Sequence, residues 1–209
     1  MIKSERFWDK LANKWDKQSK ISSNIKTVES IKQYLNVTDT VLDFGCATGT
    51  VAIEIAVKVK KIYGIDISSK MIETASRKAA ECKIENIDFA QSTIFDERYK
   101  RESFDVILAF HILHLLDDNK KVMRRINELL KPGGLIISAT FCKGEKKTFR
   151  SVPLFILINV LKKVKILPYV RLFKVSELED LIRKENFQII ETKNSGHNPT
   201  NYFVVAKKT

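Results

Sequence analysis

The hydrophobic positions of this 209-residue chain follow two alternating periods. Short apolar runs, typical of buried strands, are followed by stretches in which apolar residues recur every three or four positions, as on one face of a helix. This alternation predicts a parallel sheet with helices between its strands. The predicted strands are 39–44, 61–65, 86–90, 104–109, 134–141, 187–193 and 202–207, and the predicted helices are 5–17, 27–35, 50–60, 69–81, 118–131 and 176–185.

The end of the chain departs from this alternation. The last two predicted strands are joined by a polar loop with no helix in it, so we expect them to be antiparallel. The helix before them has Ser176 as its predicted N-cap, with Glu179 three residues later as the partner in a capping box.

The first predicted strand leads into a turn with two glycines. Residues 41–50 read Val-Leu-Asp-Phe-Gly-Cys-Ala-Thr-Gly-Thr, with Asp43 in the strand and Gly45 and Gly49 in the turn. Glycine accepts positive φ and lets the backbone approach a ligand at the carboxyl end of a parallel strand. The next apolar run, Lys61–Asp66, ends in a second acid, 21 positions after Gly45. A carboxylate at this place can bind the two hydroxyl groups of a ribose.

The glycine spacing argues against a dinucleotide. A dinucleotide-binding turn has glycine at its first, third and sixth positions, whereas Ala47 and Thr50 occupy the third and sixth positions counted from Gly45. The G-x-x-x-x-G-K-[ST] pattern of a phosphate-binding loop does not occur in the chain. A cofactor with a ribose and no phosphate chain remains, and Asp43 could face a cationic amino group on it. S-adenosylmethionine fits this description.

Four segments resemble the successive motifs of class I S-adenosylmethionine-dependent methyltransferases, especially those that act on small molecules. They are Val41–Gly49, Tyr63–Ser68 with Met71 after it, Phe104–Ala109 and Leu130–Leu135. The resemblance implies a Rossmann-like three-layer α/β sandwich with a seven-stranded, mostly parallel sheet and an antiparallel last strand. It also implies a single methyltransferase domain over 1–209, with an N-terminal helical cap at 1–36 and a helical lid after the fifth strand, at 143–174.

The resemblance further implies a role for each motif in binding the cofactor. The methionine part would be surrounded by Asp43, Gly45, Cys46, Ala47 and Gly49, and the ribose would be bound by Asp66. The adenine ring would be contacted by Ile67, Met71, Ser92, Thr93 and Ile94. Thr93 stands where many relatives have an acid, and the alternative for Ile67 and Met71 is that they belong only to the core. The floor beneath the reactive methyl group would be lined by Ala109, Phe110 and His111.

Methyl transfer from a sulfonium needs no further activation of the methyl group, so alignment of the reactants and exclusion of water can supply much of the acceleration. We therefore expect no metal, and the three cysteines form no metal-binding or disulfide pattern. A base would help if the acceptor is a hydroxyl group or an activated carbon. His111, just past the fourth strand, is the predicted base, with His114 as the alternative. Both could instead be packing or pocket residues.

Positive charge is concentrated in residues 143–174. This segment has nine basic residues and one acid, which gives +8 of the formal net charge of +12, and apolar runs lie between the charges. It is predicted to be a lid over an amphipathic or anionic small molecule. Two other interpretations stay open, a surface that contacts an anionic membrane and ordinary packing on the core.

The sequence pI of about 9.5 also makes RNA or protein methylation the alternative enzymatic function. The absence of an RNA-binding module or an arginine-rich tract argues against nucleic acid. The alternative from another class is a noncatalytic protein that binds S-adenosylmethionine, its product S-adenosylhomocysteine or a protein partner. With no long apolar stretch at the start, a cytoplasmic protein is expected.

Overall fold

The structure is a computed structural model that describes residues 2–18, 24–143, 169–195 and 200–209. Within these ranges the apolar runs of the sequence form eight strands. They are β1 (Thr40–Phe44), β2 (Lys61–Asp66), β3 (Ile87–Gln91), β4 (Phe104–Phe110), β5 (Leu130–Lys143), β6 (Phe173–Lys174), β7 (Phe187–Asn194) and β8 (Thr200–Lys208).

The strands form one sheet in the order β3-β2-β1-β4-β5-β8-β7, and the short β6 pairs with β5. All pairs from β3 to β5 are parallel, as is the pairing of β6 with β5. Strand β8 runs antiparallel to both of its neighbours, β5 and β7. The predicted Rossmann-like α/β fold is thus confirmed, with seven strands along the main path and an antiparallel last strand.

Six α-helices are described, and they are α1 (Ile2–Gln18), α2 (Asn24–Lys32), α3 (Thr50–Ile55), α4 (Ser69–Glu81), α5 (Asn119–Leu129) and α6 (Val175–Lys184). The predicted helix 50–60 ends early, at Ile55, and continues as a 3₁₀ turn over Ala56–Lys58. A second 3₁₀ turn, Leu113–Leu115, follows β4.

Both faces of the sheet are covered, which explains why its central strands read as continuous apolar runs. On one face Leu42 and Ile107 belong to a buried cluster that includes side chains of α5 and α6. On the other face Val41 and Leu108 belong to a cluster that includes side chains of α2 and α3. The alternation of side chains along each strand therefore divides the core into two layers.

The sheet has a switch point between β1 and β4. Strand β1 pairs with β2 on one side and with β4 on the other, so the chain leaves β1 for one half of the sheet and later returns to build the other half. In open α/β sheets a crevice forms at such a point, outside the carboxyl ends of the strands, and ligands bind there. The glycine turn after β1 and the residues that follow β4 both lie at this end.

The predicted cap of the helix before β7 is wrong. Helix α6 begins at Val175, and its N-cap is Lys174 instead of Ser176. The backbone N–H of Lys174 donates to the carboxylate of Glu177 at 3.2 Å, so Glu177 takes the place predicted for Glu179. The physical reason is the pairing of β6 with β5, which holds the chain extended up to Lys174 and fixes where the helix can begin.

Most of the segment predicted to be a lid lies outside the described residues, which include only Lys143 and 169–174 of it. In the described part, Phe173 is buried in the core and pairs with Cys142 through β6. A search of the described helices found none with the length and apolar character needed to cross a membrane.

Candidate functional site

The turn after β1 has an unusual backbone. Positive φ values alternate along it, at Gly45 (76°), Ala47 (49°) and Gly49 (73°). The N–H groups of Gly45 and Cys46 both donate to the carbonyl oxygen of Ile65, at 2.8 and 3.0 Å, and this ties the turn to β2. A positive φ at a residue with a Cβ atom is strained, and strain of this kind clusters at functional sites. Ala47 is such a residue.

Asp66, at the end of β2, is oriented by backbone groups on both sides. Its Oδ2 accepts the N–H of Ala47 at 3.1 Å, and its Oδ1 accepts the N–H of Ser68 at 2.9 Å. Burial raises the pKa of this carboxyl group, although the N–H groups of Ser68, Ala47 and Ile67 act in the opposite direction. The carboxylate predicted to bind a ribose is therefore held directly against the turn.

Asp43 is buried, with 2% of its surface exposed. Its Oδ2 has no hydrogen-bond partner among the described residues. Burial, and after it the charge of Asp66, raises the pKa of Asp43 to about 7. Leaving a buried carboxylate oxygen without a partner is costly, so this position suits a site that a cationic ligand completes.

Cys46 is a buried thiol whose Sγ donates to the carbonyl oxygen of Ala47 at 3.7 Å. Burial raises the pKa of Cys46 well above its ordinary value of 9.0, and the charges of Asp43 and Asp66 raise it further. The thiol is thus protonated at neutral pH and is not a nucleophile. In the ranges that the structure covers, no group of three or more His, Cys, Asp or Glu residues could hold a metal ion.

The residues predicted to contact adenine divide into two sets. Ser92 follows β3, and its N–H donates to the backbone oxygen of Asp66 at 2.9 Å, which brings it and the adjacent Thr93 beside the ribose carboxylate. Met71 and Ile94 are each 1% exposed, while Ile67 is half-buried. The structure therefore brings all five to the same end of the sheet, with two of them deep in the interior.

The other side of the crevice has two imidazole rings and one phenyl ring. His111, with φ of 53°, stacks on Phe141 at a centroid distance of 4.6 Å and an interplanar angle of 29°. The His114 ring lies 5.5 Å from the Phe141 ring and 6.4 Å from the His111 ring. Phe141, near the end of β5, is 38% exposed. Both histidines were predicted from the sequence, whereas Phe141 was not.

Both imidazoles are neutral at pH 7. Burial lowers the pKa of His111 to about 4, and burial together with His111 lowers the pKa of His114 to about 4. The Nδ1 atom of each ring is buried and has no partner among the described residues. A neutral imidazole can accept a proton or a hydrogen bond. A base with this pKa is, however, weaker than a base with a pKa near 7, which is the value that favours general base catalysis at neutral pH.

Three acids of α1 also reach this site, and they were not predicted from the sequence. Glu5, Asp9 and Asp16 accept hydrogen bonds from side chains at the ends of β3, β2 and β1. Their spacing with the buried Ala12 is the signal that could have identified them, because residues 5, 9, 12 and 16 fall on one face of a helix.

Residues 35–201 match the family model described as a methyltransferase domain. The chain is 31% identical over 129 residues to the ubiquinone biosynthesis O-methyltransferase of Vibrio atlanticus, covering 61% of this chain and 52% of that relative. It is 27% identical over 167 residues to the protein of the same name from Paracidovorax citrulli, covering 76% and 67%. This chain thus spans about half the length of the first of these relatives and two thirds of the second.

A solved structure has the same fold. The YcgJ protein of Bacillus subtilis superimposes with a TM-score of 0.71 at 19% sequence identity, over 88% of this chain and 98% of that chain. At this level of identity the likeness concerns the fold alone.

Proposed function

Because this chain belongs to the methyltransferase domain family, we propose that it transfers the methyl group of S-adenosylmethionine to a small molecule. The family model covers residues 35–201, and the mostly parallel sheet with an antiparallel last strand is that of the fold predicted from the motifs. The family match confirms the resemblance to class I S-adenosylmethionine-dependent methyltransferases, and the predicted enzyme activity and cofactor are part of this proposal. Methylation of RNA or protein and a noncatalytic role are not favoured by the relatives.

The observation that carries the proposal is the unpartnered Oδ2 of Asp43 beside a turn of positive φ values. A buried carboxylate oxygen that has no partner among the described residues fits the cationic amino group of S-adenosylmethionine. Asp66, with its two oxygens fixed by backbone N–H groups, fits the hydroxyl groups of the ribose. The residues proposed to hold the cofactor are Asp43, Gly45, Cys46, Ala47, Gly49, Asp66, Ile67, Met71, Ser92, Thr93, Ile94 and Phe110.

In this mechanism the protein binds the methyl donor and the acceptor, aligns them and excludes water from the site. S-adenosylmethionine supplies a methyl group that is already activated on a sulfonium, and S-adenosylhomocysteine is the product. The turn and Asp66 would fix the position of the donor, with Phe110 beneath its reactive methyl group, and His111 lies where the acceptor would be held. His111 is proposed to accept the hydroxyl proton of the acceptor on its neutral imidazole, or to hold that hydroxyl group by a hydrogen bond.

We infer that the acceptor is amphipathic or anionic and that its acceptor atom is an oxygen. The stacked rings of His111 and Phe141 offer a flat apolar surface. The backbone N–H of Arg171 donates to the carbonyl oxygen of His114 at 2.7 Å, which brings the end of the basic 143–174 segment next to these rings. The Arg171 guanidinium itself lies over the Phe173 ring and 3.8 Å from Glu177. The name of the relatives above, ubiquinone biosynthesis O-methyltransferase, agrees with an oxygen acceptor on a lipophilic molecule. Contact with an anionic membrane, where such molecules reside, is a further part of the proposal.

The experiment that tests this function is a calorimetric titration of the protein with S-adenosylmethionine and S-adenosylhomocysteine, with NAD as the control ligand. Saturable binding of the first two and none of NAD is expected. Methyl acceptance would then be measured with labelled cofactor on lipophilic hydroxyl compounds with and without a carboxylate. Failure of the protein to bind either S-adenosyl compound would overturn the proposal.

A matched pair of variants tests the ribose site. Asp66→Ala should weaken S-adenosylhomocysteine binding by about 1.5 to 3 kcal/mol, the scale of hydrogen bonds to a charged group. Asp88→Ala removes an acid of β3 whose side chain is 57% exposed and pairs with Lys61, so it should leave the affinity unchanged. Equal affinities of both variants and the wild type would contradict the assignment of Asp66.

A further inference from the structure

The acids of α1 form a row that faces the body of the protein. Glu5, Asp9 and Asp16, with the buried Ala12 among them, are separated by intervals of four, three and four residues and therefore share one face of the helix. Charged residues on a helix usually face solvent. Here each acid accepts a hydrogen bond from another element of the fold, and Asp16 does so while 42% of its side chain is exposed.

The three contacts follow the cofactor site from one end to the other. Glu5 accepts from Nε2 of Gln91 at the end of β3, at 2.9 Å. Asp9 accepts from the hydroxyl group of Ser68, just after β2, at 2.6 Å. Asp16 accepts from the hydroxyl group of Thr48, in the turn after β1, at 2.5 Å. Helix α1 therefore crosses the carboxyl ends of β3, β2 and β1 in that order, past the proposed adenine, ribose and methionine positions.

Helix α1 lies in the segment that the family resemblance predicts to be an N-terminal cap. We propose that Asp9 and Asp16 are the positioning residues that hold α1 in place, as the outer wall of the cofactor site, while the cofactor is bound. We call these two acids the α1 latch. The inference rests on the function proposed above, since the ligand behind the wall is S-adenosylmethionine or S-adenosylhomocysteine.

Asp9 acts through Ser68 on the carboxylate of Asp66, which is proposed to bind the ribose. The Ser68 hydroxyl group donates to Asp9, and the Ser68 N–H donates to Oδ1 of Asp66. The same hydroxyl oxygen accepts the N–H of Met71 at 3.1 Å, so Ser68 is also the N-cap of α4. The N–H of Lys70 adds a second contact to Asp9 at 3.2 Å. Ser68 is fully buried, and loss of Asp9 would remove the acceptor that fixes its hydroxyl group.

Asp16 acts on the glycine turn through Thr48. Thr48 is 1% exposed and lies between Ala47 and Gly49, the two residues of positive φ in the second half of the turn. The other oxygen of Asp16 accepts from Nζ of Lys78 at 3.0 Å, which ties α1 to α4 as well. The latch thus holds α1 at two points that lie on either side of the Asp66 carboxylate.

The dissociation rate of S-adenosylhomocysteine tests the latch directly. It would be measured by stopped-flow displacement from the full chain and from the variants Asp9→Ala and Asp16→Ala. Each variant should release the ligand roughly tenfold faster, because each loses a hydrogen bond to a charged group. Asp9→Asn and Asp16→Asn retain an acceptor oxygen and should restore most of the slow release.

Glu81→Ala is the matched control for the loss of one negative charge. Glu81 pairs with Arg77 on the exposed side of α4 at 2.7 Å, with 59% of its side chain exposed, so its removal should not change the rate. Faster release from Glu81→Ala, equal to that from the latch variants, would overturn the proposal. So would a lower melting temperature of the latch variants without faster release, because that result would assign the contacts to stability alone.

Hydrogen exchange on the unmodified protein gives a test that needs no variant. Saturating S-adenosylhomocysteine should slow amide exchange in α1, as expected of a wall that closes on the ligand, while α5 serves as the reference helix. Unchanged exchange in α1 upon saturation would overturn the latch. If the wild type does not bind S-adenosylhomocysteine at all, the proposed function itself fails, whereas binding with unaltered release from both alanine variants refutes only the latch.

Discussion

At the scale of single residues, Asp43 makes the stability of the fold depend on pH. Its pKa rises from 3.8 to about 7, so between these values the folded chain holds a proton that the unfolded chain has released. Stability contributed by this group therefore falls as pH increases through that window, and the loss is complete above pH 7. Asp43→Asn cannot lose a proton. We expect its stability relative to the wild type to be greater at pH 8 than at pH 5 by roughly 2 to 3 kcal/mol.

Urea unfolding at the two pH values measures this difference. Asp88→Asn, at an exposed carboxylate of β3, is the control and should show no such change between pH 5 and pH 8. A constant difference between Asp43→Asn and the wild type at both pH values would mean that Asp43 is ionised throughout. The same substitution should also weaken S-adenosylmethionine binding, because it removes the charge proposed to face the amino group of the cofactor.

The imidazole of His111 leads to a prediction about turnover. His111→Ala should leave cofactor affinity within about twofold and lower turnover by about 10²-fold, the lower end of the range for general base catalysis. Because burial lowers the pKa of His111 to about 4, its ring is already neutral at pH 6, and wild-type turnover should not fall between pH 8 and pH 6 through this residue. Steady-state kinetics over this range, with His114→Ala beside it, provides the measurement. The neutral state of the His111 imidazole would be contradicted if wild-type turnover fell at low pH with an apparent pKa near 6.5 and this fall were absent in His111→Ala.

At the scale of elements, the ring of Phe89 in β3 lies against Gly64 of β2 and Gly49 of the turn after β1. A Cβ atom on Gly64 would lie 2.5 Å from Cδ1 of Phe89, and one on Gly49 would lie 2.6 Å from its Cζ. The ring can therefore pack only against glycines at both places. Gly64→Ala should destabilise the protein by about 1 to 3 kcal/mol through overpacking. In a Phe89→Leu background the cost should be smaller, and thermal unfolding of the four proteins of this double-mutant cycle measures the coupling. Equal costs in both backgrounds would contradict the packing argument.

The order and type of the elements could be predicted because each leaves a local period in the sequence. The glycine turn, Asp43 and Asp66 were predictable for the same reason, since they follow apolar runs at fixed spacing. The latch was not, because the partners of Asp9 and Asp16 lie 59 and 32 positions away in other elements. Similarly, Ser176 is the better N-cap by residue type, and the pairing of β6 with β5 overrides that preference.

At the scale of the whole molecule, charge is distributed unevenly. Residues 143–174 provide +8 of the net +12, and most of this segment lies outside the described residues. If it draws in an anionic acceptor, the triple substitution of Lys162, Lys163 and Lys165 by alanine should raise KM for an acceptor with a carboxylate by about tenfold. The KM for an uncharged acceptor and the turnover number should stay unchanged, because long-range attraction acts on encounter and binding.

Salt and a matched variant separate this role from a general effect of charge. The advantage of the wild type for the anionic acceptor should shrink as ionic strength increases, since screening shortens the reach of the attraction to about 8 Å at 0.15 M. Alanine substitution of Lys58, Lys60 and Lys83, three exposed lysines elsewhere in the fold, removes the same charge and should leave the KM ratio of the two acceptors unchanged. If both triple variants change KM equally, net charge acts alone. The triple variant of Lys162, Lys163 and Lys165 could instead keep both KM values and bind vesicles of anionic lipid more weakly, by about 1 kcal/mol of binding free energy per lysine. In that case the segment contacts a membrane and not the acceptor.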